Sequence, residues 1–108
     1  MSTLGGYMVQ HRYRVAVSDV DKLREILVKV RDHALDLGLG TFEIWIDDED
    51  GGLISETHGY DSWSHWRRLA DKEPSASMRL VYSDLDALIE GGLAAVETHA
   101  WRSVDIEP

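Results

Sequence analysis

The sequence predicts one α+β domain whose elements follow one another in the order β-α-β-β-α-β. Residues 7–17 alternate in polarity with a period of two, and residues 20–37 carry apolar side chains at helical spacing. A turn at residues 47–52 then separates two further alternating segments, as in a β-hairpin. This order is the ferredoxin-like arrangement, with both helical regions on one face of a four-stranded antiparallel sheet. The 108 residues suit a single domain, with its core at about residues 7–106.

The first half of the chain has the clearest elements. Tyr7 to Val17 is predicted to be the first strand, and Ser18 is predicted to cap the long helix that follows. Gly38 is predicted to end that helix, because glycine tolerates the positive φ of a C′ position. Two more strands are predicted at Thr41 to Asp47 and at Leu53 to Tyr60, joined by an acidic turn that contains Asp-Gly.

The second half is predicted to hold two helical regions and a last strand. Asp61 or Ser62 can cap a short helix whose apolar stripe is formed by Trp63, Trp66 and Leu69. A second helical stretch is predicted at about residues 76–90, in two pieces if the capping pattern at residues 83–86 is used. Ala95 to Ile106 alternates again and is predicted to be the last strand.

The composition excludes several classes of function. The chain has 20 acidic and 11 basic residues, a net charge of −9 and no cluster of Lys or Arg, so we expect neither nucleic acid nor a membrane as a partner. Because it has no Cys, thiol catalysis, cysteine-ligated zinc and disulfides are excluded. The N-terminus lacks the pattern of a signal peptide, and no apolar run is long enough to span a bilayer, so a cytoplasmic location is expected.

The predicted architecture leaves one face of the sheet without helices. One parity of residues from each strand would lie there, including Trp and other bulky side chains. A bare, partly apolar sheet face needs a cover, and a second copy of the chain is the simplest one. We therefore expect a homodimer formed through this face.

Three segments resemble a known group of proteins. Phe42-Glu43-Ile44-Trp45, Ile54-Ser55-Glu56-Thr57 and Tyr60-Asp61-Ser62-Trp63-Ser64-His65 look like the corresponding strands and helix start of the dimeric α+β barrel superfamily. The branch they resemble most is that of the antibiotic biosynthesis monooxygenase-like domains. This resemblance implies a dimeric α+β barrel. It also implies an aromatic pocket for a polycyclic phenol that reacts directly with O₂, without a tightly bound cofactor.

The motif Glu-Thr-His occurs twice, at Glu56–His58 and at Glu97–His99. On a strand, residues two apart share a face, so each motif places a carboxylate beside an imidazole. Such a pair can raise the pKa of the His, fix its tautomer and supply a base near neutral pH. There are two alternatives to a catalytic role: the pairs could be half-buried structural pairs, or they could bind a divalent metal. The metal site is disfavoured, because the two strands are expected on opposite sides of the first strand.

These observations define the candidate site. Its predicted catalytic residues are Glu56, His58 and His65, and its predicted ligand-binding residues are Tyr13, Trp45, Trp63, Trp66, Glu97, His99 and Trp101. For the two Trp residues of the short helix, a role in the core is the alternative. His11, on the apolar parity of the first strand, is predicted to be a core or interface residue.

Two functions remain open at this point: a monooxygenase-like enzyme acting on a small aromatic or polyketide-like molecule, and a non-catalytic dimerisation or ligand-sensing domain. The enzyme requires a pocket of about 300 Å³ or more that reaches these His or Trp side chains. The alternative predicts that the same side chains are bonded to one another with no cavity.

Overall fold

The computed structural model describes residues 6–104 and residue 106, and it confirms the ferredoxin-like α+β fold. The four strands are β1 (Tyr7–Arg14), β2 (Thr41–Ile46), β3 (Leu53–Tyr60) and β4 (Glu97–Arg102). They form one antiparallel sheet in the order β2-β3-β1-β4. The helices are α1 (Val20–Asp36), α2 (Trp63–Ala70) and α3 (Ala76–Leu88), with two short 3₁₀ turns at Val17–Asp19 and Leu93–Ala95.

The hydrophobic core lies between the sheet and helices α1 and α3. Tyr13 and Ile54 supply it from the sheet, and Leu23, Leu27 and Leu85 supply it from the helices. Ile54 is fully buried, which marks the centre of this layer. Because strand residues alternate between faces, the core contacts show which parity of each strand faces the helices.

The start of α1 differs from the prediction. Strand β1 ends at Arg14, and only Val15 continues the pairing, through a bridge to Ile89. Ser18 does not cap the helix, because it lies inside the 3₁₀ turn Val17–Asp19; Asp19 takes the N-cap position without a side-chain hydrogen bond. At the other end, Gly38 has a φ of 105°, as expected of a glycine that ends a helix.

The later elements contain three further corrections. Strand β2 ends at Ile46, because the Asp47 carboxylate accepts hydrogen bonds from two backbone N–H groups of the turn. Helix α3 is a single helix; the Asp86 carboxylate accepts from the Leu93 N–H at 2.7 Å instead of capping a new helix. Strand β4 covers only Glu97–Arg102, which is the length that pairs with β1.

The register of the sheet decides where the two Glu-Thr-His motifs point. His11 pairs with Glu56 on one side and with Thr98 on the other, so Glu56 and Thr98 share the helix face of the sheet with His11. Glu56 and His58 therefore face the helices, whereas Glu97 and His99 have the opposite parity to Thr98 and lie on the outer face. The two motifs occupy opposite sides of one sheet.

No helix in the described part of the chain is both long enough and apolar enough to cross a membrane.

Candidate active site in the cleft between sheet and helices

A buried carboxylate lies at the centre of the candidate site. Glu56 is 5% exposed and lies on β3. One of its oxygens, Oε1, is 3.2 Å from Nε2 of His58, and the other accepts a hydrogen bond from the hydroxyl of Tyr13. A buried charge is tolerated only when it is paired and hydrogen-bonded, and these two partners meet that requirement.

The contacts of His58 define its chemistry. Its ring stacks on Phe42 with 4.6 Å between centroids and meets the ring of His11 edge-on at 4.9 Å. Since Nε2 faces the Glu56 carboxylate, the hydrogen-bond network assigns the proton to Nε2 in the neutral ring. The second nitrogen, Nδ1, is then a proton acceptor, as a general base requires.

Two neighbours complete the polar network. His11 Nδ1 lies 3.0 Å from the hydroxyl of Thr98, and burial lowers the pKa of His11, assisted by the nearby charge of His58 and opposed by Glu56. Burial, together with the charge and the hydrogen bond of Glu56, raises the pKa of Tyr13 far above its ordinary value. Tyr13 therefore remains a protonated donor to the carboxylate.

This network forms one wall of a cleft of about 360 Å³ between the sheet and the helices. Its polar residues are His11, Tyr13, Glu56, His58, Tyr82 and Thr98. Val30 of α1 and Leu85 of α3 supply part of the apolar lining, and residues 89–96 after α3 supply the rest. The volume is above the roughly 300 Å³ at which small-molecule sites begin. The cleft required by the enzyme hypothesis is therefore present, and it reaches Glu56 and His58.

A second, smaller cleft adjoins the first. Its volume is about 200 Å³, and it shares Val30, His58 and Tyr82 with the larger cleft. Tyr60, the end of α1 with His33, and the segment between α2 and α3 with Lys72 and Glu73 also line it. His58 thus lies where the two clefts meet.

The structure gives His65 a role in the start of α2. Its backbone N–H donates to the Oγ of Ser62, the N-cap residue, at 3.1 Å. In return its Nδ1 accepts from the N–H of Asp61 at 3.0 Å, and its ring packs edge-on against Tyr60. This reciprocal arrangement resembles a capping box. His65 does not line the cleft of Glu56 and His58.

The predicted aromatic residues are not gathered around one cavity. Trp63 and Trp66 contact each other on α2, with 6.5 Å between ring centroids, and Trp66 also packs against Tyr7. Neither lines the larger cleft. Trp45 and Trp101 are 58% and 50% exposed on the outer sheet face.

The second Glu-Thr-His motif is also on that outer face. His99 packs against Trp101 with 4.6 Å between ring centroids, and the indole N–H of Trp101 donates to Gln10. Of the predicted ligand-binding residues, only Tyr13 lies with Glu56 and His58. The others lie on α2 or on the outer sheet face, and their roles in ligand binding stay predictions.

Sequence patterns did not reveal two residues of the cleft. Tyr82 lies on the apolar stripe of α3, a position typical of core residues. Thr98 is brought to His11 only by the pairing of β1 with β4, which joins residues 87 positions apart. Tertiary structure brings Tyr82 and Thr98 to the cleft, and no local sequence motif predicts either residue there. Among the described residues, no three His, Asp or Glu side chains are grouped so that they could hold a metal ion.

Comparison with known proteins gives a consistent result for the fold. No protein-family model matches the chain, and no curated protein matches it. Solved structures match over nearly the whole length. A conserved protein from Methanosarcina mazei Go1 has a TM-score of 0.74 at 10% identity, covering 94% of this chain and 96% of that one.

A protein from Nitrosomonas europaea, provisionally named an antibiotic biosynthesis monooxygenase, has a TM-score of 0.73 at 8% identity, covering 100% of this chain and 99% of that chain. SnoaB, a cofactor-independent oxygenase from Streptomyces nogalater whose structure is that of a mutant form, has a TM-score of 0.71 at 10% identity, with coverages of 96% and 98%. The chain has the fold of the antibiotic biosynthesis monooxygenases. Identities this low show a shared monooxygenase-like fold, and they leave the reaction to be argued from this chain's own site.

Proposed function

We propose that the chain is a cofactor-independent, monooxygenase-like enzyme whose general base is His58. The observation that carries the proposal is the buried Glu56–His58 pair at the wall of a 360 Å³ cleft. A carboxylate behind an imidazole holds the ring in one tautomer and stabilises the imidazolium that forms when the ring takes a proton. The fold shared with SnoaB supports the same class of reaction.

The substrate class that fits is a small polycyclic phenol. His58 takes the proton of the hydroxyl, and the phenolate that results is electron-rich enough to be oxidised by O₂. One oxygen atom enters the ring at a C–H carbon and the other leaves as water, so that phenol plus O₂ gives quinone plus water. The phenol supplies all the electrons. The chain's task is to bind the ring, remove the proton and exclude bulk water.

Two side chains near His58, those of His11 and Tyr13, remain uncharged at neutral pH. The lowered pKa of His11 keeps its ring uncharged near pH 7, so it does not repel a proton arriving at His58. The raised pKa of Tyr13 keeps its hydroxyl a donor to Glu56. The Glu56 carboxylate, 3.2 Å from Nε2, is then the acidic group in contact with His58.

Oxygen uptake tests this proposal. The wild-type protein is incubated with a series of hydroxylated naphthalenes and anthracenes in an oxygen electrode, and quinone formation is followed by absorbance. We expect one phenol to be consumed with O₂ in equal amounts. His58→Gln is expected to lower the rate by about 10²-fold to 10⁴-fold, the usual contribution of a general base.

The control removes a carboxylate far from the site and from the outer sheet face. Glu25 lies on α1 with its side chain exposed and lines neither cleft, so Glu25→Gln is expected to keep the wild-type rate, in contrast to Glu56→Gln. If His58→Gln were as active as wild type, the assignment of the base would be wrong.

A non-catalytic ligand-binding domain is the second candidate, and one observation favours it. Both oxygens of Glu56 are already engaged by Tyr13 and His58, which is how a purely structural network would look. The two candidates differ in the same experiment. Binding of a phenol without oxygen uptake by the wild-type protein would support the ligand-binding domain.

We also propose that the protein acts as a homodimer through the outer sheet face. Trp45 and Trp101 expose half or more of their surface there, on a sheet face that no described helix covers. Exposed aromatic side chains of this size are typical of interfaces. Sedimentation at micromolar concentration is expected to show a dimer for wild type and a monomer for the double variant Trp45→Glu, Trp101→Glu. A monomeric wild-type protein would contradict the proposal.

A further inference from the structure

The smaller cleft contains two tyrosine hydroxyls that the proposed reaction has not used. Tyr60 lies at the end of β3 and Tyr82 on α3, and both side chains are half-buried. Both line the smaller cleft, and Tyr82 also lines the larger one. Neither hydroxyl has a hydrogen-bond partner among residues 6–104, and neither is a buried unpaired atom, so both are accessible to a ligand in the cleft.

The surroundings keep both hydroxyls protonated. Burial raises the pKa of Tyr60, and the neighbouring Tyr82 raises it further. Burial also raises the pKa of Tyr82, with a contribution from the charge of Glu56. Both tyrosines line the same cleft of about 200 Å³, and each protonated hydroxyl can donate to a ligand at neutral pH.

The position of His58 connects this pair to the chemistry. His58 and Tyr82 lie at the boundary of the two clefts, so a flat ligand that places its hydroxyl at His58 can extend past Tyr82 towards Tyr60. If that ligand carries a carbonyl conjugated with the hydroxyl, loss of the proton moves negative charge onto the carbonyl oxygen. Hydrogen-bond donors aimed at an oxygen that gains charge are the arrangement that stabilises such an anion.

We propose that the smaller cleft is a second subsite, in which the hydroxyls of Tyr60 and Tyr82 bind a carbonyl oxygen at the far end of the substrate. The new element is the role of these two side chains in holding one end of the ligand in the smaller cleft. This inference rests on the proposed function for the position of the hydroxyl at His58. The subsite itself is a matter of binding and is measurable without turnover.

A pair of probes tests it: a naphthol, and the same naphthol with an acetyl group on its other ring. Their dissociation constants are measured by fluorescence titration with O₂ removed. We expect wild type to bind the acetylnaphthol about threefold to tenfold more tightly, the value of one net hydrogen bond. Tyr60→Phe should reduce that preference and leave the affinity for the plain naphthol unchanged, because Tyr60 does not line the larger cleft, and Tyr82→Phe should reduce the preference as well.

Tyr7→Phe is the matched control. Tyr7 packs its ring near Tyr60 and against Trp66 but lines neither cleft, so its hydroxyl should not affect the preference. A measurement on unaltered protein adds a second test that does not depend on the variants folding. The carbonyl stretching frequency of bound acetylnaphthol, read by infrared difference spectroscopy, should lie below its value in an apolar solvent.

The outcomes separate the two proposals. If both probes bind wild type with equal affinity, or if the preference survives in both Tyr→Phe variants, the subsite is overturned while the general base is untouched. If neither probe binds at all, the proposed function fails together with the subsite. If His58→Gln stops oxygen uptake but keeps the preference for the acetylnaphthol, both are supported.

Discussion

Replacing Glu56 by Gln tests whether the carboxylate sets the tautomer of His58. The substitution keeps the shape of a side chain that is 5% exposed, and it removes the charge. Tyr13 donates its O–H to this side chain and needs an acceptor, so the Gln carbonyl oxygen should turn towards Tyr13. The amide NH₂ then faces Nε2 of His58, where the carboxylate Oε1 was 3.2 Å away.

The size of the effect follows from this mismatch. An N–H facing an NH₂ leaves a buried donor unpaired, which costs about 1–3 kcal/mol and corresponds to a change of about 5-fold to 160-fold in the tautomer ratio. His58 should therefore move its proton from Nε2 to Nδ1, and the acceptor of the proposed mechanism is lost. Glu56→Gln should lower the free energy of unfolding by about 2 kcal/mol or less. The hydrogen bonds of the amide are weaker than those of the carboxylate, but burying an uncharged amide also costs less.

The assay is ¹⁵N NMR of the imidazole nitrogens, whose chemical shifts distinguish the two tautomers. Wild type is expected to show a protonated Nε2, and Glu56→Gln a protonated Nδ1. Adding Tyr13→Phe should partly restore the original tautomer, because the Gln is then free to turn its oxygen towards His58. An unchanged tautomer in Glu56→Gln would show that the carboxylate does not control the proton position on the ring.

Three further predictions concern pH dependence and stability. The pKa of His11 in the folded protein is below its ordinary value of 6.5, so the unfolded chain binds a proton first as the pH falls. Wild-type stability should therefore decrease below about pH 6.5, and urea unfolding of His11→Gln at several pH values should show a weaker decrease. Ser62→Ala removes the side-chain cap of α2 and should cost about 1 kcal/mol in the same assay, whereas Ser64→Ala, inside the first turn of the helix, should cost little. Gly59→Ala places a Cβ against the Thr41 hydroxyl and should lower the melting temperature, by an overpacking cost of about 1–3 kcal/mol, and the added Thr41→Ala should recover most of it.

Local patterns predicted the elements well, because each depends on neighbours in the sequence. The alternation in β1 and β3 and the helical spacing in α1 place side chains on faces without any knowledge of the partner elements. The sharing of one face by Glu56 and His58 is of this kind. The errors occurred at ends, where competing contacts decide: Ser18 lies in a 3₁₀ turn, and Asp86 bonds to Leu93 within one continuous helix.

Local sequence patterns could not predict which residues come together in the site. Both faces of the sheet carry bulky aromatic and polar residues, so side-chain character did not distinguish them. The pairing of His11 with Glu56 joins residues 45 positions apart, and that pairing puts one Glu-Thr-His motif in the cleft and the other outside it. The grouping of Trp45 and Trp101 with the cleft was a consequence of not knowing this register.

The ionisation state of a bound phenol is the most direct test of whether His58 acts as the base. A naphthol is bound to wild type and to His58→Gln under nitrogen at pH 7, and its absorption spectrum is recorded, because the naphtholate absorbs at longer wavelength than the neutral form. We expect a naphtholate band in wild type and its loss in His58→Gln. A neutral naphthol bound equally in both proteins would contradict the assignment of His58 as the base.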